Sequence, residues 1–258
     1  MTINAHATSS RTSFSLKRGI RELYSLHRRD SEYQDRRAFF YKVFRALSFN
    51  GIDGDYAEFG CWTGKTFHMA YRESRRFEKI CHLWAFDSFC GLPPQSLPED
   101  QHPMWIEGHM NISIDEFTEV CRRNGIPTSE YSVVPGFYAD TIGGLGPPPP
   151  RLPKNICLAY IDCDLYTSTR TVMDFLCTRM KHGMVLAFDD YYNWSANATA
   201  GERRALLDFM ANQHRFRLLP YIQFGWHGMS FVVEDNTPAS RAANVSDGAL
   251  EGSPLIGH

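Results

Sequence analysis

The chain has 258 residues, enough for one large domain with a substantial core. Apolar residues make up 43% of it and the formal net charge is −2, so the composition is that of a globular protein and does not favour nucleic acid or a membrane surface as partner. No apolar run approaches the roughly 18 residues of a membrane span. The seven cysteines include no C-x-x-C pair, which is typical of free thiols in a reducing compartment and predicts a cytoplasmic location.

The amino-terminal region differs in composition from the rest of the chain. Residues 1–15 are rich in Ser and Thr and have no apolar core, so we predict a disordered tail and not a secretory signal. No acid precedes Glu22, whereas Arg11, Lys17, Arg18 and Arg21 are basic, a composition that would also suit a transit peptide. Leucine and aromatic residues at three- and four-residue spacing then predict a helical segment over 16–50. This segment is expected either to cover the rest of the fold or to form an interface, which leaves a homo-oligomer open.

From Tyr56 onwards, short apolar runs alternate with helical patterns. The predicted strands are Tyr56–Gly60, His82–Asp87, Tyr131–Gly136, Ile156–Asp162, Met184–Asp189, Phe216–Tyr221 and Met229–Glu234. The predicted helices are Lys65–Phe77, Ile114–Asn124, Thr167–Met180 and Gly201–Gln213. Such alternation predicts a doubly wound, Rossmann-like α/β sheet, mostly parallel. The last two strands are separated by too few residues for a helix, so they should pair as an antiparallel hairpin.

This pattern predicts a domain over residues 51–235. Within it, residues 91–112 carry four prolines at the end of the second strand, and an insertion of that length and place is expected to be a lid. The polar segment 236–258 is predicted to be a disordered tail.

A glycine turn follows the first strand, in the run Glu58-Phe59-Gly60-Cys61-Trp62-Thr63-Gly64-Lys65-Thr66. A phosphate-binding P-loop needs four residues between its glycines and this turn has three, and the dinucleotide fingerprint is also missing. The turn therefore shows only the pattern acid-x-G-x-x-x-G, formed by Glu58, Gly60 and Gly64. Glu58 would repel a polyphosphate and favour a cationic ligand, such as an adenosine that carries a sulfonium and an amino group. A purely structural glycine turn is the alternative.

Further candidate ligand residues stand at later strand ends. Asp87 ends the second strand 23 residues beyond Gly64, where an acid can bind ribose hydroxyls, although it could also cap a turn. Gly136 ends the third predicted strand and Phe137 follows it; the two residues would either contact adenine or only pack at the strand end. Ser113 begins a capping box with Glu116, which is sufficient to explain it.

Two strands end in acids: Asp162 and Asp164 follow one, and Asp189 and Asp190 follow the other. Carboxylates at the carboxyl ends of neighbouring parallel strands lie where ligands bind, and they suit a hard cation such as Mg²⁺. A turn or helix cap is the alternative for either pair alone. Four acids together, however, would repel each other without a cation.

Five motifs resemble, in order, those of the macrocin O-methyltransferase family. They are Tyr56-Ala-Glu-Phe-Gly60, Phe86-Asp-Ser-Phe-Cys-Gly-Leu-Pro93, Gly136-Phe-Tyr-Ala-Asp-Thr141, Ile161-Asp-Cys-Asp-Leu-Tyr-Thr-Ser-Thr169 and Phe188-Asp-Asp-Tyr191. The resemblance runs from about Tyr56 to Val233. It implies a seven-stranded methyltransferase sheet and an S-adenosylmethionine- and magnesium-dependent enzyme that methylates a sugar hydroxyl of a small natural product.

The resemblance also implies roles for individual residues. The metal ligands would be Asp162, Asp189 and Asp190, with Asp162 as the general base and Asp164 without a fixed role. The cofactor-binding residues would be Glu58, Phe59, Gly60, Gly64, Asp87, Ser88, Ser113, Gly136 and Phe137. Catechol O-methyltransferases carry a lysine where this chain has Leu165, which argues against their type of base. A non-catalytic cofactor-binding protein and a methyltransferase-like hydroxylase remain the alternatives.

Overall fold

The computed structural model describes residues 31–79, 81–193 and 198–237. A helix over residues 31–49 (α1) opens the described chain. The later helices are α2 (Lys65–Arg76), α3 (Ile114–Arg123), α4 (Tyr138–Thr141), α5 (Tyr166–Cys177) and α6 (Gly201–Asn212). The strands are β1 (Asp55–Phe59), β2 (Leu83–Asp87), β3 (Tyr131–Pro135), β4 (Ile156–Ile161), β5 (Val185–Phe188), β6 (Phe216–Phe224) and β7 (Gly228–Asp235). Two short 3-10 helices lie at Pro98–Asp100 and Thr128–Glu130.

The seven strands form one sheet in the order β3-β2-β1-β4-β5-β7-β6. Strands β1 to β5 are parallel, and β7 pairs antiparallel with both β5 and β6. The predicted mostly parallel sheet with a terminal antiparallel hairpin is therefore confirmed. Strand β6 extends three residues beyond the predicted end at Tyr221 because its register with β7 continues to the pair Phe224 and Gly228.

Helices cover both faces of the sheet, so the central strands are buried on both sides and their sequences are continuous apolar runs. One core contains Phe39, Phe40 and Phe44 of α1 together with side chains of α2, α3 and the sheet. The other lies between the sheet and helices α5 and α6. The apolar face of α1 therefore covers the sheet, which is one of the two alternatives that its sequence left open.

The remaining differences from prediction are local. The short helix α4 follows β3 where no helix was predicted, and α5 ends three residues before the predicted Met180. The predicted tail 1–15, residues 16–30 of the predicted helical segment and residues 238–258 lie outside the described residues. Asn236 lies within the described residues, and its N–H donates to the carbonyl of Arg215 at 2.8 Å; the predicted disordered tail stays a prediction. Among the described residues, no helix has the length and apolar composition needed to cross a membrane.

Candidate functional site

The residues just beyond the parallel strands remain attached to the sheet. Their backbone N–H groups donate to the neighbouring strand, Gly60 to Phe86 (2.8 Å), Gly136 to Asp87 (2.9 Å), Asp162 to Phe59 (2.8 Å) and Asp189 to Ile161 (2.9 Å). These bonds fix the first residue of each loop at one edge of the sheet. Parallel α/β sheets bind ligands at this edge, where the order of strands reverses between β1 and β4.

A glycine is required where β1 ends. Gly60 has φ +95°, and a Cβ placed there would lie 1.9 Å from the carbonyl oxygen of Asp162. A side chain would therefore force apart the loops that follow β1 and β4. The glycine keeps Asp162 next to the turn that carries the other predicted ligand residues.

A cavity of about 260 Å³ opens at this edge of the sheet. Among the residues that line it are six of the predicted site residues, Gly60, Asp87, Ser88, Gly136, Phe137 and Asp162. The 91–112 segment lines the cavity through Leu92, Pro93 and Met110, among others. The predicted lid thus lies against the cavity that the strand ends form.

Phe59, Gly64 and Ser113, also predicted to bind the cofactor, do not line this cavity. Phe59 is buried and stacks on Phe86 with ring centroids 4.6 Å apart. Gly64 supplies the left-handed turn before α2. Ser113 caps α3, where its Oγ accepts from the backbone N–H of Glu116 at 3.2 Å, so the predicted capping box is confirmed. A role for these three in cofactor binding stays a prediction.

Glu58 also lies outside the cavity lining, beneath the glycine turn. Its carboxylate accepts from the hydroxyl of Tyr56 and from Thr66 Oγ1, the latter at 2.6 Å. Burial raises the pKa of Glu58 to about 8. The structure places this acid where it connects β1 to the first turn of α2, and its predicted contact with the cofactor stays a prediction.

Asp87 organises the glycine turn. Its Oδ2 accepts from the backbone N–H groups of Cys61 (2.7 Å) and Trp62 (3.2 Å), and its Oδ1 accepts from that of Phe89 (2.8 Å). The bond to Phe89 is the turn cap that the sequence suggested. The bonds to residues 61 and 62 were not foreseen, because they join segments that are 25 and 26 residues apart.

Five carboxylates gather beyond β4 and β5, and we call them the carboxylate cluster: Asp162, Asp164, Asp189, Asp190 and Glu202. Asp162 is partly buried and the other four are buried, and Asp162 and Asp164 line the cavity. Burial and then the neighbouring acids raise the pKa values of Asp162, Asp190 and Glu202 well above the ordinary range. Burial raises the pKa of Asp164 to about 8, and Asp164 shares a hydrogen bond with Asp190.

Glu202, at the start of α6, joins the two acid-tipped loops. Its Oε1 accepts from the backbone N–H of Cys163 at 2.9 Å, and its Oε2 accepts from that of Asp190 at 3.0 Å. Glu202 is not among the residues predicted from the sequence. Its only signal is an acid in the first turn of a helix, which is common for reasons of helix capping alone.

Asp189 is held by two side chains from other elements. Arg36 of α1 donates from Nε to Oδ1 (2.9 Å) and from Nη2 to Oδ2 (2.7 Å), and the hydroxyl of Tyr160 also donates to Oδ1. Although burial opposes ionisation, the pair with Arg36 keeps the pKa of Asp189 below its usual value. Neither Arg36 nor Tyr160 was predicted. The contact of Arg36 depends on how α1 packs against the sheet, and that of Tyr160 depends on the pairing of β4 with β5.

His227, in the turn between β6 and β7, also reaches the cluster. Its Nδ1 bonds to the carbonyl oxygen of Asp189 and lies 3.4 Å from Asp190 Oδ1, and its Nε2 lies 3.5 Å from Nη2 of Arg36. Because a carbonyl only accepts, Nδ1 carries the proton. The side chain of His227 is buried against the acids.

The donor set has the chemistry of a hard-cation site, since buried oxygens with raised pKa values gain from a bound positive charge. The described residues contain two groups whose ligand atoms lie within 4.8 Å of one another: Asp162, Asp190 and Glu202 form one, and Asp189, Asp190 and His227 form the other. The predicted trio is therefore divided between two groups that share Asp190. Its role as the ligand set stays a prediction.

The 91–112 segment is attached to the site by a buried acid that is not among the predicted site residues. Asp100 is fully buried, and its Oδ1 accepts from the backbone N–H of Thr167 (2.9 Å) in the first turn of α5. Its Oδ2 accepts from the N–H groups of Ser96 (3.3 Å) and Leu97 (3.2 Å). Asp100 thus joins the segment over the cavity to the helix that follows Asp164.

Comparisons with known proteins agree with this arrangement. The family model described as macrocin-O-methyltransferase (TylF) matches residues 34–215. A curated relative from Streptomyces olivaceus, 8-demethyl-8-(2,3-dimethoxy-alpha-L-rhamnosyl)-tetracenomycin-C 4'-O-methyltransferase, is 27% identical over 150 residues, which cover 55% of this chain and 54% of the relative. The chain thus matches about half the length of that relative.

Solved structures share the fold. The O-methyltransferase NovP matches with a TM-score of 0.64 and 19% identity over 77% of this chain and 79% of its own. CalS11, described as a calicheamicin methyltransferase, matches with a TM-score of 0.59 and 20% identity over 76% and 77%. Because the family model covers well over half of the residues, and its motifs form the strand ends around the cavity, the chain belongs to the macrocin-O-methyltransferase (TylF) family.

Proposed function

We propose that this protein transfers a methyl group from S-adenosylmethionine to a hydroxyl group of a small natural product, with Mg²⁺ bound at the carboxylate cluster. One observation carries the proposal: the cavity bounded by the glycine turn, Asp87 and Phe137 opens directly onto Asp162 and Asp164. A cofactor site and a cation site that share a wall suit group transfer to a metal-held acceptor.

The cavity residues suit the cofactor. Gly60 and Gly136 leave the backbone accessible at the ends of β1 and β3, and Asp87 and Ser88 offer oxygens at the end of β2, where ribose hydroxyls are expected. Phe137 offers an apolar ring for adenine. When bound, S-adenosylmethionine would supply the methyl group, and these residues would orient it towards Asp162.

The cluster residues suit the chemistry of the acceptor. Asp162 and Asp190, with Glu202 or Asp189, would hold Mg²⁺, which supplies a positive charge that lowers the pKa of an alcohol. Asp162 lines the cavity beside the cofactor-binding residues, so its position makes it the candidate to accept the hydroxyl proton. Glu202 would keep the loops of Asp162 and Asp190 at a fixed separation.

The acceptor is proposed to be a sugar of a glycosylated metabolite. The curated relative is described as a 4'-O-methyltransferase of a rhamnosyl tetracenomycin. Trp226 is 63% exposed beside His227 and offers a flat apolar face next to the cluster, which suits the face of a sugar ring. The seven free cysteines support a reducing, cytoplasmic setting. No role with nucleic acid or membranes is proposed, and a homo-oligomer stays a prediction.

The direct test has two parts. Calorimetry with S-adenosylhomocysteine should show saturable binding, and no binding would exclude the cofactor. Incubation with hydroxylated glycosides and isotope-labelled S-adenosylmethionine should then give products heavier by one CH₂ unit that carry the label. A gain of one oxygen atom would instead identify a hydroxylase, and cofactor binding without any product across the panel would favour a non-catalytic binding protein.

The metal requirement is tested separately. Chelation should abolish turnover and Mg²⁺ should restore it, because the acceptor hydroxyl would lose the charge that stabilises its ionised form. Asp190→Asn should reduce the restored turnover by about a hundredfold or more while S-adenosylhomocysteine still binds. Full turnover in the chelated protein would exclude a role for the cation in the reaction.

A further inference from the structure

The first turn of α5 presents a polar residue to the cavity that the proposed function has not used. Ser168 lines the cavity and is only 9% exposed. Within the described part of the chain, neither its Oγ nor its backbone N–H has a hydrogen-bond partner. We propose that Ser168 is a specificity-determining residue that binds the adenine ring of the cofactor through these two groups. This inference rests on the cofactor part of the proposed function.

The residues on either side of Ser168 have their donors satisfied. The N–H of Thr167 donates to Oδ1 of Asp100 at 2.9 Å, and the N–H of Thr169 donates to the carbonyl of Leu165 at 3.0 Å. The first N–H groups of a helix have no acceptor within the helix, so the N–H of Ser168 needs one from elsewhere. Because a buried polar group without a partner is costly, a ligand in the cavity is the natural partner for Ser168.

The packing of α5 places Ser168 beside the predicted adenine site. Phe137 immediately precedes α4, and Gly143 follows that helix. A Cβ added to Gly143 would lie 3.0 Å from Cγ2 of Thr171, so α5 packs against this segment at Thr171. Residues three apart lie on the same face of a helix, and Ser168 and Thr171 both line the cavity together with Phe137.

The surroundings of Ser168 suit a neutral flat ring better than an anion. Phe137, together with Leu92 and Met110 of the 91–112 segment, offers apolar surface in the same cavity. The start of a helix generally attracts anions, but Asp100 bonds to this one and Asp164 lines the cavity next to it. These acids would repel a phosphate or a carboxylate, whereas a heteroaromatic ring would pack against the apolar side chains.

Adenine has the hydrogen-bonding groups that complement Ser168. Its edge carries the N6 amino donor next to a ring-nitrogen acceptor. The hydroxyl of Ser168 can accept from N6 while the backbone N–H of the same residue donates to the ring nitrogen. Proteins that bind an unpaired base combine such edge hydrogen bonds with packing against aromatic or apolar side chains. Ser168 would therefore make the site selective for a purine that carries the 6-amino group.

The experiment compares two ligands by calorimetry with the full chain. One is S-adenosylhomocysteine, and the other is its purine analogue, in which a hydrogen atom replaces the 6-amino group. Ser168→Ala should weaken the binding of S-adenosylhomocysteine about fivefold, because one hydrogen bond is lost. The same variant should change the affinity for the analogue by less than about twofold, because the analogue has no amino group for the hydroxyl to accept from.

Two variants serve as controls. The hydroxyl of Thr171 stands on the same face of α5 but already donates to the carbonyl of Thr167 at 3.1 Å. Thr171→Val should therefore change the two affinities by the same factor. Ser132 lies on β3 outside the cavity lining, with its Oγ 2.9 Å from Nε2 of His82, so Ser132→Ala should change neither affinity.

The outcomes separate this inference from the proposed function. If Ser168→Ala weakens both ligands by the same factor, or weakens neither, Ser168 does not bind the 6-amino group and the inference is wrong. Binding of S-adenosylhomocysteine by the natural protein would still support the proposed function in that case. If the natural protein binds neither ligand, the cofactor part of the proposed function fails and the inference fails with it. Only a selective loss for S-adenosylhomocysteine supports the role of Ser168.

Discussion

The contact between Gly60 and Asp162 can form only because residue 60 is a glycine. The loops after β1 and β4 approach so closely that a Cβ on Gly60 would lie 1.9 Å from the carbonyl oxygen of Asp162. The glycine turn was recognisable in the sequence because acid-x-G-x-x-x-G follows an apolar run. The sequence did not predict that this turn contacts Asp162, because Asp162 lies about a hundred residues further along the chain.

The first prediction concerns this contact. Gly60→Ala should lower the free energy of unfolding by about 3 kcal/mol or more, because the new methyl group overlaps backbone atoms that cannot move without opening the sheet edge. The matched control is Gly51→Ala, whose φ of +64° carries similar backbone strain but whose Cβ would have no atom within 4 Å. This control substitution should lower the free energy of unfolding by only about 1 kcal/mol. If urea unfolding shows equal losses of stability for the two variants, the overlap with the Asp162 backbone is not the cause of the loss.

A second residue-scale prediction concerns Asp87. Asp87→Asn replaces one accepting oxygen with an amide that donates, so at least one of the N–H groups of Cys61, Trp62 or Phe89 loses its acceptor. The glycine turn should become less ordered, and the affinity for S-adenosylhomocysteine should fall about tenfold or more in calorimetry. Asp174→Asn, at an exposed position on α5, is the control. An unchanged affinity would mean that Asp87 neither orders the turn nor contacts the ligand.

At the scale of elements, two segments outside the central strands complete the site. Helix α1 buries Phe39, Phe40 and Phe44 against the sheet, and this packing brings Arg36 to Asp189. The 91–112 segment lies over the cavity and is joined to α5 through Asp100. The sequence predicted that both segments exist, but the contacts that they make depend on docking.

The attachment of the 91–112 segment can be tested through Asp100. No acidic side chain of its own stands in the first turn of α5, and Asp100 supplies the acceptor for Thr167. Asp100→Asn should cost about 1 to 2 kcal/mol of stability and should speed proteolytic cleavage within residues 91–112. Glu99→Gln removes the neighbouring carboxylate and should leave both measurements unchanged. Equal cleavage rates in the two variants would contradict the attachment.

At the scale of the whole molecule, buried acids make stability depend on pH. Glu58 is fully buried with a pKa raised to about 8, so between its ordinary pKa of 4.5 and about 8 the folded protein keeps a proton that the unfolded chain has lost. The stabilisation from that proton is complete below pH 4.5 and is lost as the pH rises through 8.

Glu58→Gln should remove this pH dependence. Urea unfolding in the presence of a chelator, at about pH 5 and about pH 8, should show that the natural protein loses roughly 2 to 4 kcal/mol more than the variant over this interval. Asp174→Asn, which changes an exposed acid, should follow the natural protein. Parallel stability curves for Glu58→Gln and the natural protein would show that Glu58 is ionised throughout.

The sequence by itself determined the family, the succession of the seven strands and the main helices along the chain, and the positions of the acids at the strand ends. These follow from local signals: apolar runs that predict buried strands, glycines that need left-handed turns, and motifs in a fixed order. The parallel sheet then brings residues such as Gly60, Asp87 and Asp162 to one edge, because their backbone bonds continue the ladder.

Only the tertiary structure decided which other side chains complete the site around these acids. Five side chains reach the site only after their elements have packed. They are Arg36 of α1, Tyr160 of β4, His227 of the terminal hairpin, Glu202 of α6 and Asp100 of the 91–112 segment. Single positions such as Glu202 resemble ordinary helix-start acids in the sequence. A buried acid is costly unless it has a hydrogen-bond or ion-pair partner, and burial is a property of the packed molecule and not of any one segment.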